Sequence, residues 1–400
     1  MNRPLDVDAL RRDTPGCAGV NHLNNAGAAL QPQIVIDTVV DHLRREGAVG
    51  GYEAHHEAEA RIDAVYGSIA SLIGSRPGQV ALVESATEGW ARGFQSIAFT
   101  RGFSGDDRLL VAGAEYASNV IPLLQVAERT GASVEFIPDG EDGCVDVDAL
   151  ASMLDDRVAL VAITHCPSQN GLINDVAAIG DRLRDSEAWY LVDACQSAGQ
   201  VPLDVTTIGA DFLSATGRKF LRGPRGTGFL YASDRALSEL EPFPLDLHSA
   251  TWLSHGYAVR SGAQRYEYWE RAYAGLLGLG AAVDYALDLG IDRISARIGE
   301  LAAYARAGLS TLPGVTVRDR GTRRSGIVTF THAGVDSADL VDAIRATGIN
   351  VSLSTADYAR ADFDAHGISS LVRVSPHTFN TTAEIDALVD VVGASTSGAA

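Results

Sequence analysis

Between residues 79 and 232 short apolar runs alternate with stretches of helical spacing. Runs at 79–83, 108–111, 133–137, 158–164, 189–192, 212–214 and 228–232 are rich in Val, Leu, Ile and Phe and read as strands. Helical patterns open at 84–90, follow residues 115–119 as far as 129, and recur near 177–184. Upstream, 7–12 is a short amphipathic piece, and 34–45 and 57–72 show helical spacing on either side of Gly50-Gly51-Tyr52. Downstream, 265–288 and 294–309 are helical in pattern, 315–318, 326–331 and 351–353 read as strands, and 338–346 and 382–392 as helices. This divides the chain into an N-terminal segment (1–20), a large domain (21–289) and a smaller C-terminal α+β domain (290–395), with residues 396–400 expected to fray.

Strands separated by helices imply βαβ units and an α/β fold on a mostly parallel sheet. Ligands of such sheets sit at the carboxyl ends of the strands. The turns at 85–87, Tyr116, 167–170, 193–196 and 216–219 all follow predicted strands, so they are expected to converge on one crevice. Asn21-His-Leu-Asn-Asn-Ala-Gly27, built of small and amide residues, can bring backbone close to a ligand there.

Composition narrows the function. A hydrophobic share of 46% with 21% charged residues is that of an ordinary soluble enzyme. A net charge of −19 argues against nucleic acid or an anionic membrane as partner, but leaves room for a small anionic ligand in a local patch. No apolar run reaches the roughly 20 residues of a membrane span. With no apolar leader at the N-terminus, the four unpatterned cysteines are expected to be reduced thiols in a cytoplasmic protein. The histidines show no metal-ligand spacing, and no metal is expected.

The basic residues carry the sharpest signal. The chain holds 32 Lys+Arg, of which one, Lys219, is lysine. Arginine stays protonated in proteins, whereas a lysine amine can lose its proton and form a Schiff base with an aldehyde. A chain that otherwise writes arginine and keeps lysine here points to amine chemistry. The glycine-rich stretch 223–228 precedes a strand instead of opening a helix, so it is no dinucleotide loop.

Asp193 and Gln196, in Val192-Asp-Ala-Cys-Gln-Ser197, precede Thr216-Gly-Arg-Lys219, and Arg373-Val-Ser-Pro-His377 follows far downstream. This order resembles the fold-type I pyridoxal 5'-phosphate enzymes of the class V aminotransferase and cysteine desulfurase group, over nearly the whole chain. The resemblance implies a large cofactor-binding domain, a homodimer and an amino-acid substrate. It makes Lys219 and Asp193 catalytic, Lys219 bonded to the cofactor and Asp193 paired with the pyridine nitrogen, where a carboxylate keeps the ring an electron sink. Gln196 falls on the ring-hydroxyl contact and Tyr116 on the stacking position. Ala86 and Thr87 open a helix at the phosphate turn, with Thr216 and Arg218 beside it. Either Ser168 or Asn170 touches the ring hydroxyl and substrate. Arg373 matches the carboxylate-binding arginine, whose planar fork suits a carboxylate, and Asn25 joins it at the substrate. Residues 265–270 fall where the family passes a segment into the partner's site, though Trp269 and Glu270 stand where Gly-Thr is frequent.

Desulfurases of this group carry a cysteine nucleophile on a loop shortly before the carboxylate arginine. Here residues 353–360 read Leu-Ser-Thr-Ala-Asp-Tyr-Ala-Arg, and the last cysteine is Cys195. The resemblance therefore leads to the carbon–sulfur lyase branch: a β-lyase that cleaves an S-substituted cysteine to thiol, pyruvate and ammonia in sulfur natural-product assembly. An aminotransferase, an epimerase or a decarboxylating oxidative deaminase acting on a similar amino acid is the alternative.

Overall fold

The computed structural model describes residues 4–396, so residues 397–400 of the expected frayed tail lie outside it. Seven strands form the central sheet: β1 (Val80–Val83), β2 (Arg108–Ala112), β3 (Ser133–Ile137), β4 (Val158–Thr164), β5 (Trp189–Asp193), β6 (Phe212–Thr216) and β7 (Gly228–Ala232). Their spatial order is β1-β7-β6-β5-β4-β2-β3. The pairs from β6 to β3 are parallel, and β7 runs antiparallel to both β6 and β1. Six strands thus point the same way, as the alternating pattern predicts. The middle strands β4, β5 and β6 are buried at every position, the mark of a sheet covered on both faces.

Helices cover the faces. Among them, α1 (Gln33–Val49) and α2 (Gly51–Ile73) are separated by Gly50 alone, at φ +105°, a conformation only glycine adopts without strain. Gly51 and Tyr52, expected to belong to the break, already lie in α2. Helix α3 (Ala86–Thr100) follows β1, α4 (Ala117–Thr130) follows β2, and α5 (Val176–Leu183) precedes β5. Four shorter helices escaped the pattern, at Val147–Met153, Val205–Ile208, Asp234–Glu239 and Arg360–Ala365, as did a hairpin of Ala250–Trp252 with Tyr257–Val259. Each is too short to show a period.

The helix expected from residue 265 begins later, as α6 (Tyr273–Leu289). Residues Ala263–Tyr266 form one 3₁₀ turn, and Glu267 then takes an extended backbone. The cause is Glu267 itself, 1% exposed. Its carboxylate accepts from Tyr66 Oη at 2.8 Å, the Leu82 N–H at 2.8 Å and Arg271 Nη1 at 2.5 Å, and lies 2.9 Å from His248 Nε2. A buried carboxylate with that many partners outweighs a weak helical preference.

After Gly290 the chain turns sharply into α7 (Ile291–Ser310). A four-stranded antiparallel sheet follows, of β8 (Val315–Val317), β9 (Val328–His332), β10 (Ser352–Thr355) and β11 (Ser370–Val374), in the order β8-β9-β11-β10. Helices α7, α8 (Ser337–Ala346) and α9 (Thr382–Thr396) pack with it around Phe330, Leu340, Val372 and Leu388. Leu23 belongs to this same core, and Asn21–His22 pair in parallel with Ile349–Asn350. The N-terminal residues are thereby stitched to the C-terminal core through a separate two-stranded sheet before crossing to the large one. Among the described residues no single helix is long and apolar enough to cross a membrane.

Replacing Glu267 by Ala leaves Arg271 buried without its anion. The expected cost is about 3–5 kcal/mol of stability, read as a lower midpoint of urea unfolding. A wild-type midpoint would show that Glu267 does not anchor this segment.

Candidate active site

Because β4, β5 and β6 are parallel neighbours, their carboxyl ends lie side by side: Thr164 is in register with Asp193, and Asp193 with Ser214. The turns that leave them wall a cavity of about 250 Å³ together with residues from the N-terminal segment and the C-terminal sheet. Tyr116, Ser168, Gln196, Arg218, Lys219 and Arg373 line it, as do Gly27 and Tyr358.

Lys219 sits three residues beyond the end of β6, on a turn that Gly217 makes possible. Gly217 donates to Thr227 O at 2.9 Å and accepts from the Gly223 N–H at 2.7 Å. A side chain there would stand 2.3 Å from Thr227 Oγ1. The Lys219 carbonyl accepts from the Arg222 N–H at 2.9 Å, closing the turn.

Arg373 is buried at 9% exposure and has no carboxylate partner among the described residues. Its contacts are two long ones, Nη1 to Ser168 O and Nη2 to Asn24 Oδ1, both 3.4 Å, and its Nε is unsatisfied. Burial, then the like charge of Arg218, pulls its pKa down to about 10. It stays protonated at neutral pH, and a buried cation lacking an anion is costly. The arrangement is that of a site awaiting an anion. Arg218 itself donates to Gly27 O and faces the same space.

Asp193 lies just beneath the wall, 5% exposed. Its Oδ1 accepts from the Cys195 N–H at 2.8 Å and its Oδ2 from Asn119 Nδ2 at 2.9 Å. Gln196 Nε2 donates to Ala26 O at 3.1 Å, while its Oε1 is buried without a partner. The half-buried Tyr116 ring lies nearly parallel to that of Tyr358, 7° between planes and 6.4 Å between centroids. Burial raises the Tyr116 pKa, so its hydroxyl stays protonated.

Thr216, Ala86 and Thr87 stand at one end of this arrangement, outside the cavity wall. Thr216 Oγ1 donates to Thr227 O at 3.2 Å. Gly228 pairs with both Thr216 and Val83, and a Cβ on it would meet the Ser85 backbone at 3.0 Å. The start of α3, capped by Ser85, is therefore held one strand away from Thr216. The first N–H groups of a helix have no partner within it and form a ready anion site.

Two residues proposed from the sequence turn elsewhere. Asn170 donates to Asp362 Oδ2 at 3.2 Å and opens onto a separate cavity with Arg320 and His366, so of the pair Ser168 and Asn170 it is Ser168 that faces the site. Asn25 is fully buried and donates to Ser375 O at 2.8 Å, leaving its neighbours Ala26 and Gly27 at the wall. Residues not anticipated are Gln169, Ser352, Leu353, Ser354 and Tyr358 at the wall, and Glu115 and Asn119 behind Asp193. An acid and an amide four apart across the start of α4 were the only sequence trace of the latter pair.

This donor set fits pyridoxal phosphate. It supplies an amine, a carboxylate for a ring nitrogen, an amide with an unpartnered buried oxygen, and a helix start with a hydroxyl for a phosphate.

Comparison with known proteins agrees. The family model Aminotransferase class-V matches residues 21–388. A probable cysteine desulfurase of Halobacterium salinarum is 30% identical, covering 97% of this chain and 96% of its own. The structure of the Escherichia coli cysteine desulfurase CsdA superposes with a TM-score of 0.92 at 24% identity over all of both chains. A complex of the cystine C–S lyase C-DES with cysteine persulfide superposes with a TM-score of 0.84 at 22% identity, over 95% of this chain and 99% of that one. Those two likenesses speak for the fold, the family match for the cofactor: this chain belongs to the class V aminotransferase family, fold-type I enzymes that work through pyridoxal 5'-phosphate.

Proposed function

We propose that the protein is a cytoplasmic, homodimeric carbon–sulfur β-lyase that cleaves an S-substituted cysteine, with water, to a thiol, pyruvate and ammonia, in the assembly of a sulfur-containing natural product. The observation that carries this reading is a cavity with a lysine and an unpaired buried arginine but no thiol on the segment beside it. The adjoining stretch, Ser352, Leu353, Ser354 and Tyr358, has no sulfur nucleophile to take up a sulfur atom. Sulfur released here leaves with its substituent.

Bound pyridoxal phosphate supplies an electron sink for the negative charge that develops at the substrate Cα. The chain's own residues do the rest. Arg373, already desolvated, binds the substrate carboxylate, and its planar fork fixes the orientation of Cα. Lys219 Nζ takes the Cα proton, its reach set by the Gly217 turn. Asp193, held by two donors, would pair with the ring nitrogen and favour its protonated form. Gln196 and Ser168 would meet the ring hydroxyl, Tyr116 would cover the ring face, and Thr216, Arg218 and the Ala86–Thr87 end of α3 would hold the phosphate. The Tyr358 ring and the hydroxyls of Ser352 and Ser354 then border the space left for the S-substituent.

Purified protein mixed with a panel of S-alkyl and S-aryl cysteines is expected to release pyruvate and thiol in equal amounts. Carbon dioxide release or oxygen uptake in place of pyruvate would move the assignment to an oxidative deaminase, and amine exchange to an aminotransferase. Lys219→Ala is expected to fold, to lose the visible absorbance of the lysine-bound cofactor, and to lose turnover by at least about a hundredfold, the lower range of general acid–base catalysis. Retained absorbance would remove Lys219 from the centre of the site. Arg373→Ala is expected to raise KM for the amino acid more than tenfold, as loss of a charge-assisted pair costs about 1.5–3 kcal/mol. An unchanged KM would place the carboxylate elsewhere.

A further inference from the structure

A hydrogen-bonded chain runs behind Asp193, away from the cavity. Asn119, 2% exposed in the first turn of α4, uses its amide nitrogen twice, toward Glu115 Oε1 at 2.7 Å and toward Asp193 Oδ2 at 2.9 Å. Glu115, also 2% exposed, takes the Thr164 N–H on Oε2 at 2.6 Å and the Thr164 hydroxyl on Oε1. Two buried carboxylates from separate strand ends therefore share one amide, and no arginine or lysine side chain is among the hydrogen-bond partners of Glu115.

Such an arrangement is expensive. Burial lifts the Glu115 pKa to about 7, and the negative charge of Asp193 adds to the rise. A tie between the β2–α4 turn and the end of β4 could be made more cheaply by a neutral hydroxyl. What the ionised acidic side chain provides is acceptors with no donor. It dictates which way the Asn119 amide is turned. With Glu115 on one side, the NH2 group is drawn toward both carboxylates. Without it the amide can flip and set its oxygen against Asp193, repelling the carboxylate instead of holding it.

We propose that Asn119 and Glu115 are positioning residues for the cofactor's ring nitrogen: Glu115 orients the Asn119 amide, and the amide fixes the Asp193 carboxylate that would pair with that nitrogen. The proposal rests on the assignment of Asp193 to that nitrogen. Two donors, Asn119 and the Cys195 N–H, hold one carboxylate oxygen each and so fix its orientation. Removing one donor would free the carboxylate to turn away from the ring nitrogen, and a ring without its carboxylate would carry less positive charge. Neither Glu115 nor Asn119 lines the cavity, so neither touches substrate.

The test compares Asn119→Leu, Glu115→Gln and Asp193→Asn holoenzymes with wild type. Three quantities are measured: thermal melting, the dissociation constant of pyridoxal phosphate, and the pH midpoint of the bound cofactor's visible absorbance. Asp193→Asn is expected to retain cofactor, lose most turnover and move the midpoint upward, as the ring nitrogen loses charge. Asn119→Leu and Glu115→Gln are expected to move it the same way by less, and Asn119→Leu to weaken cofactor binding about tenfold, the effect of one lost hydrogen bond to a charged group. If both fold, bind cofactor as wild type and keep its midpoint while Asp193→Asn shifts, the bridge is only structural and the proposal fails. If Asp193→Asn shifts nothing either, the assignment of Asp193 fails first. Should Asn119→Leu or Glu115→Gln not fold, Thr164→Val removes one donor from Glu115 and keeps its volume. An upward midpoint supports the relay, and a wild-type midpoint overturns it.

Discussion

The site depends on strand direction. Parallel pairing from β6 to β2 brings four strand ends to one edge, and each end delivers a residue that an apolar sheet interior could not house. Thr164, Asp193 and Thr216 are the last residues of their strands, and Glu115 follows β2 by a short turn. Had any of these strands run the other way, its polar end would lie across the sheet. The antiparallel β7 illustrates this. It begins at the site with Gly228, where the Ser85 backbone leaves no room for a side chain.

Such an edge has an electrostatic cost that burial makes large. Three ionisable side chains, Arg373, Asp193 and Glu115, are almost wholly buried within it, and none has an oppositely charged hydrogen-bond partner among the described residues. A chain selected for stability alone would replace such groups with apolar ones of similar volume. Their retention marks where free energy is held in reserve for ligands. Glu267, equally buried but paired with Arg271 and three further groups, shows the contrasting, structural use of a buried carboxylate.

Much of this is legible in the sequence because the period-2 and period-3.6 patterns are strong where elements are long. The alternation across 79–232 gives the seven strands and their common edge, and the solitary lysine lies at the cavity on that edge. What was not legible has local causes. The helix expected from residue 265 fails because Glu267 makes more hydrogen bonds buried and extended than a helix would allow. Asn25 and Asn170 are placed next to the cavity by their position in the chain, but side-chain direction is decided by partners far along it, Ser375 and Asp362. Asn119 was invisible for the same reason: its role lies in a contact with a residue 74 positions away.

A net charge of −19 says nothing of the field inside the cavity. There Lys219, Arg218 and Arg373 face one another, and the like charge of Arg218 is already one of the causes depressing the Arg373 pKa. That repulsion is a cost carried only while the cavity holds no anion. A phosphate at the Thr216 end and a carboxylate at Arg373 would each be drawn by the combined field of these cations. The same cationic walls in an acidic protein focus small anions toward the site while the outer surface repels polyanions.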